Sequence, residues 1–286
     1  MPALTQQVEA RRLASDLRVQ FSKAAEASNR AVMADTDEAS SAAAREAEQA
    51  KQAVERDGAA LEPLLHALGY GDEIRQVDAF KARFAEYRTL DADILPLAVE
   101  NTNIKAQRLA FGPARDAANM FRQSLEAAAF AEGFGAPRRS STERSRAAQQ
   151  ITSKDACGVE ALVAKATAAV LEVQVIEARH IAESDEAAMS RMEAEMAAAE
   201  SAARKALDAV KGLLPPVAGP QLAAAAAALD RFIASNAELV TLSRRNSNVR
   251  SLALSLGRKR TETPECDDIL HALDDALAKH DFTATR

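Results

Sequence analysis

Residues 91–112 read DADILPLAVENTNIKAQRLAFG, and residues 236–257 read NAELVTLSRRNSNVRSLALSLG. The two stretches align without a gap, setting Leu97 on Leu242, Asn101 on Asn246, Thr102 on Ser247, Asn103 on Asn248, Lys105 on Arg250, Leu109 on Leu254 and Gly112 on Gly257. A second match sets Asp35-Thr36-Asp37-Glu38-Ala39 over Glu183-Ser184-Asp185-Glu186-Ala187 at nearly the same offset. Self-similarity of this kind marks a structural unit used twice. The unit here is a helical hairpin, with one copy over residues 1–135 and the other over 142–286.

Composition fixes the class of that unit. Hydrophobic residues make up 48% of the 286, yet aromatics only 4%, with no Trp and with Ala filling most apolar positions. The 10 Gly and 9 Pro are too few for the turns of a sandwich or barrel, so the chain reads as all-α. Breaks fall at Gly69–Asp72, Gly133–Pro137 and Leu214–Pro220. They leave four helical segments, roughly 3–68, 73–132, 142–212 and 221–281. Each would be about 90–105 Å long at the α-helical rise, too long to stand alone. Short loops make neighbours antiparallel, and the expectation is one elongated domain, a long antiparallel up-down four-helix bundle over 1–286. Pro63, Pro96, Pro113 and Gly58 should kink or break these helices, so eight shorter helices remain an alternative.

Inward faces follow from the three-and-four spacing of apolar residues. The second segment gives Ile94, Leu97, Asn101, Ile104, Arg108 and Phe111, and the fourth gives Leu239, Leu242, Asn246, Val249, Ala253 and Leu256. Asn101 and Asn246 interrupt otherwise apolar stripes. The first segment contributes Phe21, Ala25, Ser28, Val32, Asp35 and Ala39, and the third Ala169, Val173, Ile176, His180, Glu183 and Ala187. Their distances from the loops predict that the repeated motifs meet in one inner polar layer, with Asp35, His180 and Glu183 as members.

Such a layer has two readings. Buried polar residues on a seam fix register at some cost in stability. Alternatively, Arg244, Asn246, Arg250, Asn101 and Lys105 form a ligand site, because a forked guanidinium suits a carboxylate and Arg250 lies one turn beyond Asn246. These arginines could instead pair with Asp35, Asp37, Glu183 or Asp185. No metal or cofactor is expected: Glu177 and His180 have a Glu-x-x-His spacing, but the repeat partner of His180 is Val32, and a di-iron bundle needs two such pairs. A phosphate loop, a nucleophile elbow and a Cys/His cluster are all missing from the sequence, so no enzyme is expected. His66, His271 and His280 read as exposed or capping residues. Cys157 and Cys266 lie about 15 Å out of level and read as free thiols.

Charge and hydropathy narrow the partners. The net charge is 36 − 42 = −6, which argues against a nucleic-acid partner. No apolar run reaches the ~18–20 residues that span a bilayer, and the N-terminus lacks the apolar region of a signal peptide. A soluble chain is expected, with membrane contact only through segments outside this sequence.

The succession of NRAVMADTDEAS, ENTNIKAQRLAFG and LSRRNSNVRSLALSLGRKR, ending in FTATR, resembles the four-helix-bundle sensor domains of methyl-accepting chemotaxis proteins. The resemblance implies a homodimeric extracytoplasmic (periplasmic) sensor bundle that takes a small ligand, such as an organic anion, and signals by displacement of its last helix. The family's membrane helices and methylated signalling hairpin are not in this sequence. Outside a receptor, the same chain would be cytoplasmic. The competing expectation is a structural or scaffold bundle.

Overall fold

The computed structural model describes residues 3–130 and 153–280, which are α-helical apart from short connections. The expected break at 133–137 and the closing FTATR lie outside the described residues. In chain order the helices are α1 (Ala3–Met33), α2 (Asp37–Leu68), α3 (Gly71–Glu100), α4 (Thr102–Leu109), α5 (Arg115–Phe130), α6 (Ser153–Ala182), α7 (Glu186–Leu213), α8 (Gly219–Arg245), α9 (Ser247–Leu256) and α10 (Arg258–Lys279). The all-α class is as the composition implies.

Helices end elsewhere than the prolines suggest. α2 runs through Gly58 and Pro63, and α3 runs through Pro96. Buried Leu61 and Leu65 anchor the turns around Pro63, and buried Ile94, Leu95 and Ala98 do so around Pro96. Pro113 sits in a π-helical turn, Ala110–Ala114, that joins α4 to α5, where the wider turn absorbs the missing N–H. The first expected segment breaks instead at Ala34–Thr36 and the third at Glu183–Asp185. Each is restarted by a cap: Thr36 Oγ1 accepts from the Ala39 N–H at 3.1 Å, and Asp185 Oδ1 from the Ala188 N–H at 2.6 Å. Such caps satisfy donors that a helix start leaves open. They make Thr36 equivalent to Asp185, one residue beyond the pairing that the motif match gives.

The asparagines at the centre of the repeat are helix ends. Asn101 closes α3 with φ 51° and Asn246 closes α8 with φ 52°, the left-handed region that Asn tolerates better than most residues with a Cβ. Asn101 Nδ2 donates to Thr36 O (3.3 Å) and Asp37 Oδ1 (3.2 Å), and its Oδ1 accepts from Asn248 (2.9 Å). Asn246 Nδ2 donates to Glu183 O (2.7 Å), and its Oδ1 accepts from Asn103 (2.8 Å). Each asparagine thus ties its helix end to the break in a neighbouring hairpin. A register-only asparagine would gain from replacement by leucine. Here Asn101→Leu or Asn246→Leu is expected to cost about 2–4 kcal/mol in urea denaturation, from left-handed backbone strain plus stranded partners.

The chain divides into two compact units, unit 1 from Met1–Asn101 with Ser247–Arg286 and unit 2 from Thr102–Asn246. This corrects the single elongated bundle of consecutive hairpins. The boundaries fall on the two left-handed asparagines, and each unit draws helices from both halves of the sequence: α1, α2, α3, α9 and α10 in unit 1, and α4 to α8 in unit 2. Buried positions nevertheless correspond. At an offset of 145, Val77, Phe84, Tyr87 and Ile94 match Leu222, Leu229, Phe232 and Leu239, while Leu125 and Ala128 match Leu270 and Leu273. At 149, set by the caps, Leu17, Phe21 and Ala27 match Ala166, Val170 and Ile176. In unit 1 the aromatics touch one another: Phe21 meets Phe80, Phe84 and Tyr87 edge-on at centroid distances of 5.9, 6.1 and 5.3 Å. Unit 2 packs Ala, Val and three buried methionines, Met189, Met192 and Met196.

Candidate functional site

Unit 1 carries an ionic centre in its core. Asp91 of α3 is fully buried, and so, within a few per cent, are Ser28 of α1, Lys51 of α2 and Lys259 of α10. Lys259 Nζ donates to Asp91 Oδ1 at 2.8 Å and to Ser28 Oγ, Ser28 Oγ donates to Asp91, and Lys51 Nζ stands 2.8 Å from Asp91 Oδ2. Burial pushes the Asp91 carboxyl up, but the ammoniums of Lys259 and Lys51 outweigh it and hold it below the usual carboxylate range. Burial lowers Lys259, and Asp91 only partly offsets this. Lys259 also lies over the ring of Tyr87, 5.1 Å from its centroid. Lys51 has a second partner at the surface, Glu48, at 2.9 Å. The centre is closed, with each charge answered by another.

The equivalent positions of unit 2 hold the opposite chemistry. At the cap-based offset, Ser28 corresponds to Glu177 and Lys51 to Glu200. At the offset of 145, Asp91 corresponds to Asn236 and Lys259 to Ala114. Glu177 is 1% exposed and Asn236 4%. Asn236 Nδ2 donates to Glu200 Oε1 at 2.7 Å. Glu177 Oε1 and Asn236 Oδ1 are buried with no hydrogen-bond partner among the described residues. Burial, then repulsion from Glu200, pushes the Glu177 carboxyl up to about 7. Burial also raises Glu200, against the Asn236 hydrogen bond and the charge of Arg204.

A second polar centre of unit 2 surrounds His180, which is fully buried. Its Nδ1 lies 2.8 Å from Ser243 Oγ and its Nε2 3.0 Å from Glu193 Oε1. Ser, His and Glu in a row suggest a nucleophile relay, but Ser243 is fully buried and donates its one proton to His180 O at 2.9 Å. A hydroxyl so engaged attacks nothing. Arg244 forks onto Glu193, with Nε at 2.6 Å from Oε1 and Nη2 at 3.0 Å from Oε2, and also donates to Ser190 Oγ at 2.7 Å. Its hydrogen bond holds the Glu193 carboxyl below the usual range.

Several sequence expectations change accordingly. Asp35 is exposed in the α1–α2 break rather than facing inward. Glu183 is half-buried at the α6–α7 break, where its Oε1 accepts from the N–H groups of Ser184 (2.8 Å) and Asp185 (2.9 Å). The guanidinium fork of Arg244, offered to a ligand anion, is already filled by Glu193, a carboxylate outside the expected set. Arg250 is exposed, Lys105 is half-buried, and the amides of Asn101 and Asn246 are spent on helix ends. Arg244, Asn246 and Lys105 belong to unit 2, whereas Asn101 and Arg250 belong to unit 1. His66 and His271 are exposed, while His280 is half-buried, stacked on Tyr70 at 3.8 Å and 2.8 Å from Glu73 Oε1. Both cysteines are free thiols, Cys157 exposed and Cys266 buried.

No family model matches the chain, and no curated protein is similar to it. Among the described residues no helix is long and apolar enough to cross a membrane, and no three His, Cys, Asp or Glu side chains gather as a metal-binding group. Lys51, Asp91, Lys259, Glu193, Glu200 and Asn236, which make the polar centres, escaped the stripe reading. The aligned repeat did hold a signal, since its first residues are Asp91 and Asn236.

Proposed function

We propose that the chain is a non-enzymatic ligand-binding helical module of the sensory type, each unit an up-and-down four-helix bundle in a duplicated chain. What supports this most is the inequality of equivalent cores. Unit 1 answers the Asp91 carboxylate with its own lysines, whereas at the equivalent positions unit 2 buries acceptors, Glu177 Oε1 and Asn236 Oδ1, that have no hydrogen-bond donor among the described residues. Burying unpaired acceptors costs stability unless a bound species satisfies them. Within the chemotaxis-sensor reading, a ligand in unit 2 would reposition helices of a homodimeric extracytoplasmic bundle anchored by segments outside this sequence. The Glu193–Arg244 pair removes the reason to place an organic anion at Arg244.

The scaffold alternative draws on exposed apolar side chains, among them Met33 (74%), Val175 (64%), Phe111 (62%) and Phe130 (62%), which suit partner helices. A thermal-shift panel of amino acids, organic acids, amines and metal ions separates the two readings. A sensor gives a saturable stabilisation that grows as RT ln(1 + [L]/Kd) for at least one class. A flat response across the panel leaves the scaffold.

A further inference from the structure

The equivalent cores of the two units differ in where their cations come from. In unit 1 the oxygen ligands Asp91 and Ser28 surround a cation supplied by the chain itself, the Lys259 ammonium on α10. In unit 2 the residue equivalent to Lys259 is Ala114, fully buried, and the residue equivalent to Lys51 is Glu200. The register is secure, because the same offset carries Leu270 onto Leu125 and Leu273 onto Ala128, all buried. Unit 2 has thus replaced two internal cations by an alanine and a carboxylate, and has gained a further carboxylate at Glu177.

We propose that Glu177, Glu200 and Asn236 form a binding site for a hard divalent metal ion of the Mg²⁺, Ca²⁺ or Mn²⁺ class, standing where unit 1 places its lysine ammonium. Oxygen is the only donor type in the set, and such cations take carboxylate and amide oxygens. Two carboxylates and one divalent ion sum to zero charge, as a core lined by apolar neighbours requires. Glu177 Oε1 and Asn236 Oδ1 are the orphaned acceptors that the ion would satisfy. Asn236 turns its Nδ2 to Glu200 Oε1, 2.7 Å away, and exchanging the two ends of the amide, which differ only in which atom is N and which O, would present Oδ1 to the ion instead. Arg204, whose charge acts on Glu200, is engaged at the surface by Asp230 at 2.8 Å. Glu200, half-buried, opens the site to solvent. Three protein oxygens leave the remaining coordination positions to water, as Mg²⁺ sites commonly do.

The site deepens the ligand-binding reading and rests on it. Its test is titration of MgCl₂, CaCl₂ and MnCl₂ into the metal-stripped full chain at pH 8, with melting temperature and Mn²⁺ electron paramagnetic resonance as readouts. We expect a saturable rise of roughly 5–10 °C at a hundredfold excess over Kd. Glu177→Gln and Asn236→Ala should each weaken it about tenfold or more. Glu177→Gln relieves a buried repulsion, so it folds and keeps the comparison open. Equal stabilisation of wild type and Glu177→Gln means that the ion binds elsewhere and overturns the site. If no divalent ion stabilises, protons fill the cluster instead and the metal site falls. The sensory reading would then survive only if an organic compound of the panel still stabilises the chain.

Discussion

Replacing Asp91 with alanine is expected to cost unit 1 about 3–5 kcal/mol, because it strands two ammoniums in the core. Lys51 and Lys259 would keep their burial and lose the carboxylate that both contact at 2.8 Å. Lys51 would keep only its surface partner Glu48 at 2.9 Å, and Lys259 would have to deprotonate or stay charged over the Tyr87 ring, each at a cost. By contrast, the quadruple change Asp91→Leu, Lys51→Met, Lys259→Met and Ser28→Ala removes the whole centre and should come within about 1 kcal/mol of wild type or exceed it, since buried ion pairs rarely beat well-packed apolar groups. Hydrogen exchange of α3 amides isolates unit 1 from unit 2 where a single denaturation curve would not. If Asp91→Ala exchanges like wild type, the centre is not a charge-balanced unit. The pH dependence has a fixed sign. The carboxyl is held below its ordinary value of 3.8, so its contribution is present above that pH and is lost as pH falls through the lowered folded value.

What the sequence showed of this fold depended on what kind of signal each residue carries. Helical class and approximate segment positions were legible because Ala, Leu, Glu and Arg act through summed local propensity. Prolines misled, since packing around Leu61 and Leu65 or around Ile94 outweighs a local cost. Asn101 and Asn246 are buried, as their places on the apolar stripes imply, but a stripe of spacings does not reveal that they are also left-handed helix ends. Recurrence of Asn at one repeat position, the residue after Gly that best tolerates positive φ, is the signal that would have decided it. The polar centres were harder to see. Lys51, Lys259 and Glu200 look like the solvated charges of any amphipathic helix, and only the register across helices reveals that they point inward. The gap-free match of residues 91–112 with 236–257 came closest, since it set Asp91 on Asn236.

Glu177→Gln is the second large effect, and its sign is opposite to that of Asp91→Ala. The Glu177 carboxyl titrates near 7 in the folded protein against an ordinary value of 4.5. Between those values the folded state keeps a proton that the unfolded state has lost, so stability falls as pH rises, by about 1.4 kcal/mol per pH unit. Below pH 4.5 both states are protonated and above pH 7 neither is, so the slope is confined to that window. The full fall is about 3 kcal/mol, and it is borne by a group that is 1% exposed, where solvent screening is weak. Glutamine holds the same volume without ionising. We therefore expect metal-free Glu177→Gln to match wild type near pH 4.5 and to exceed it by up to about 3 kcal/mol at pH 8 in urea denaturation read through α6 and α7 exchange. A stability difference independent of pH would mean that the glutamine gains by packing and that Glu177 carries no buried charge at neutral pH. The expected slope would instead show that unit 2 keeps a costly carboxylate where a neutral residue would be more stable. At the position where unit 1 places Ser28, a carboxylate of this kind suits a bound cation, the use that its neighbours Glu200 and Asn236 favour.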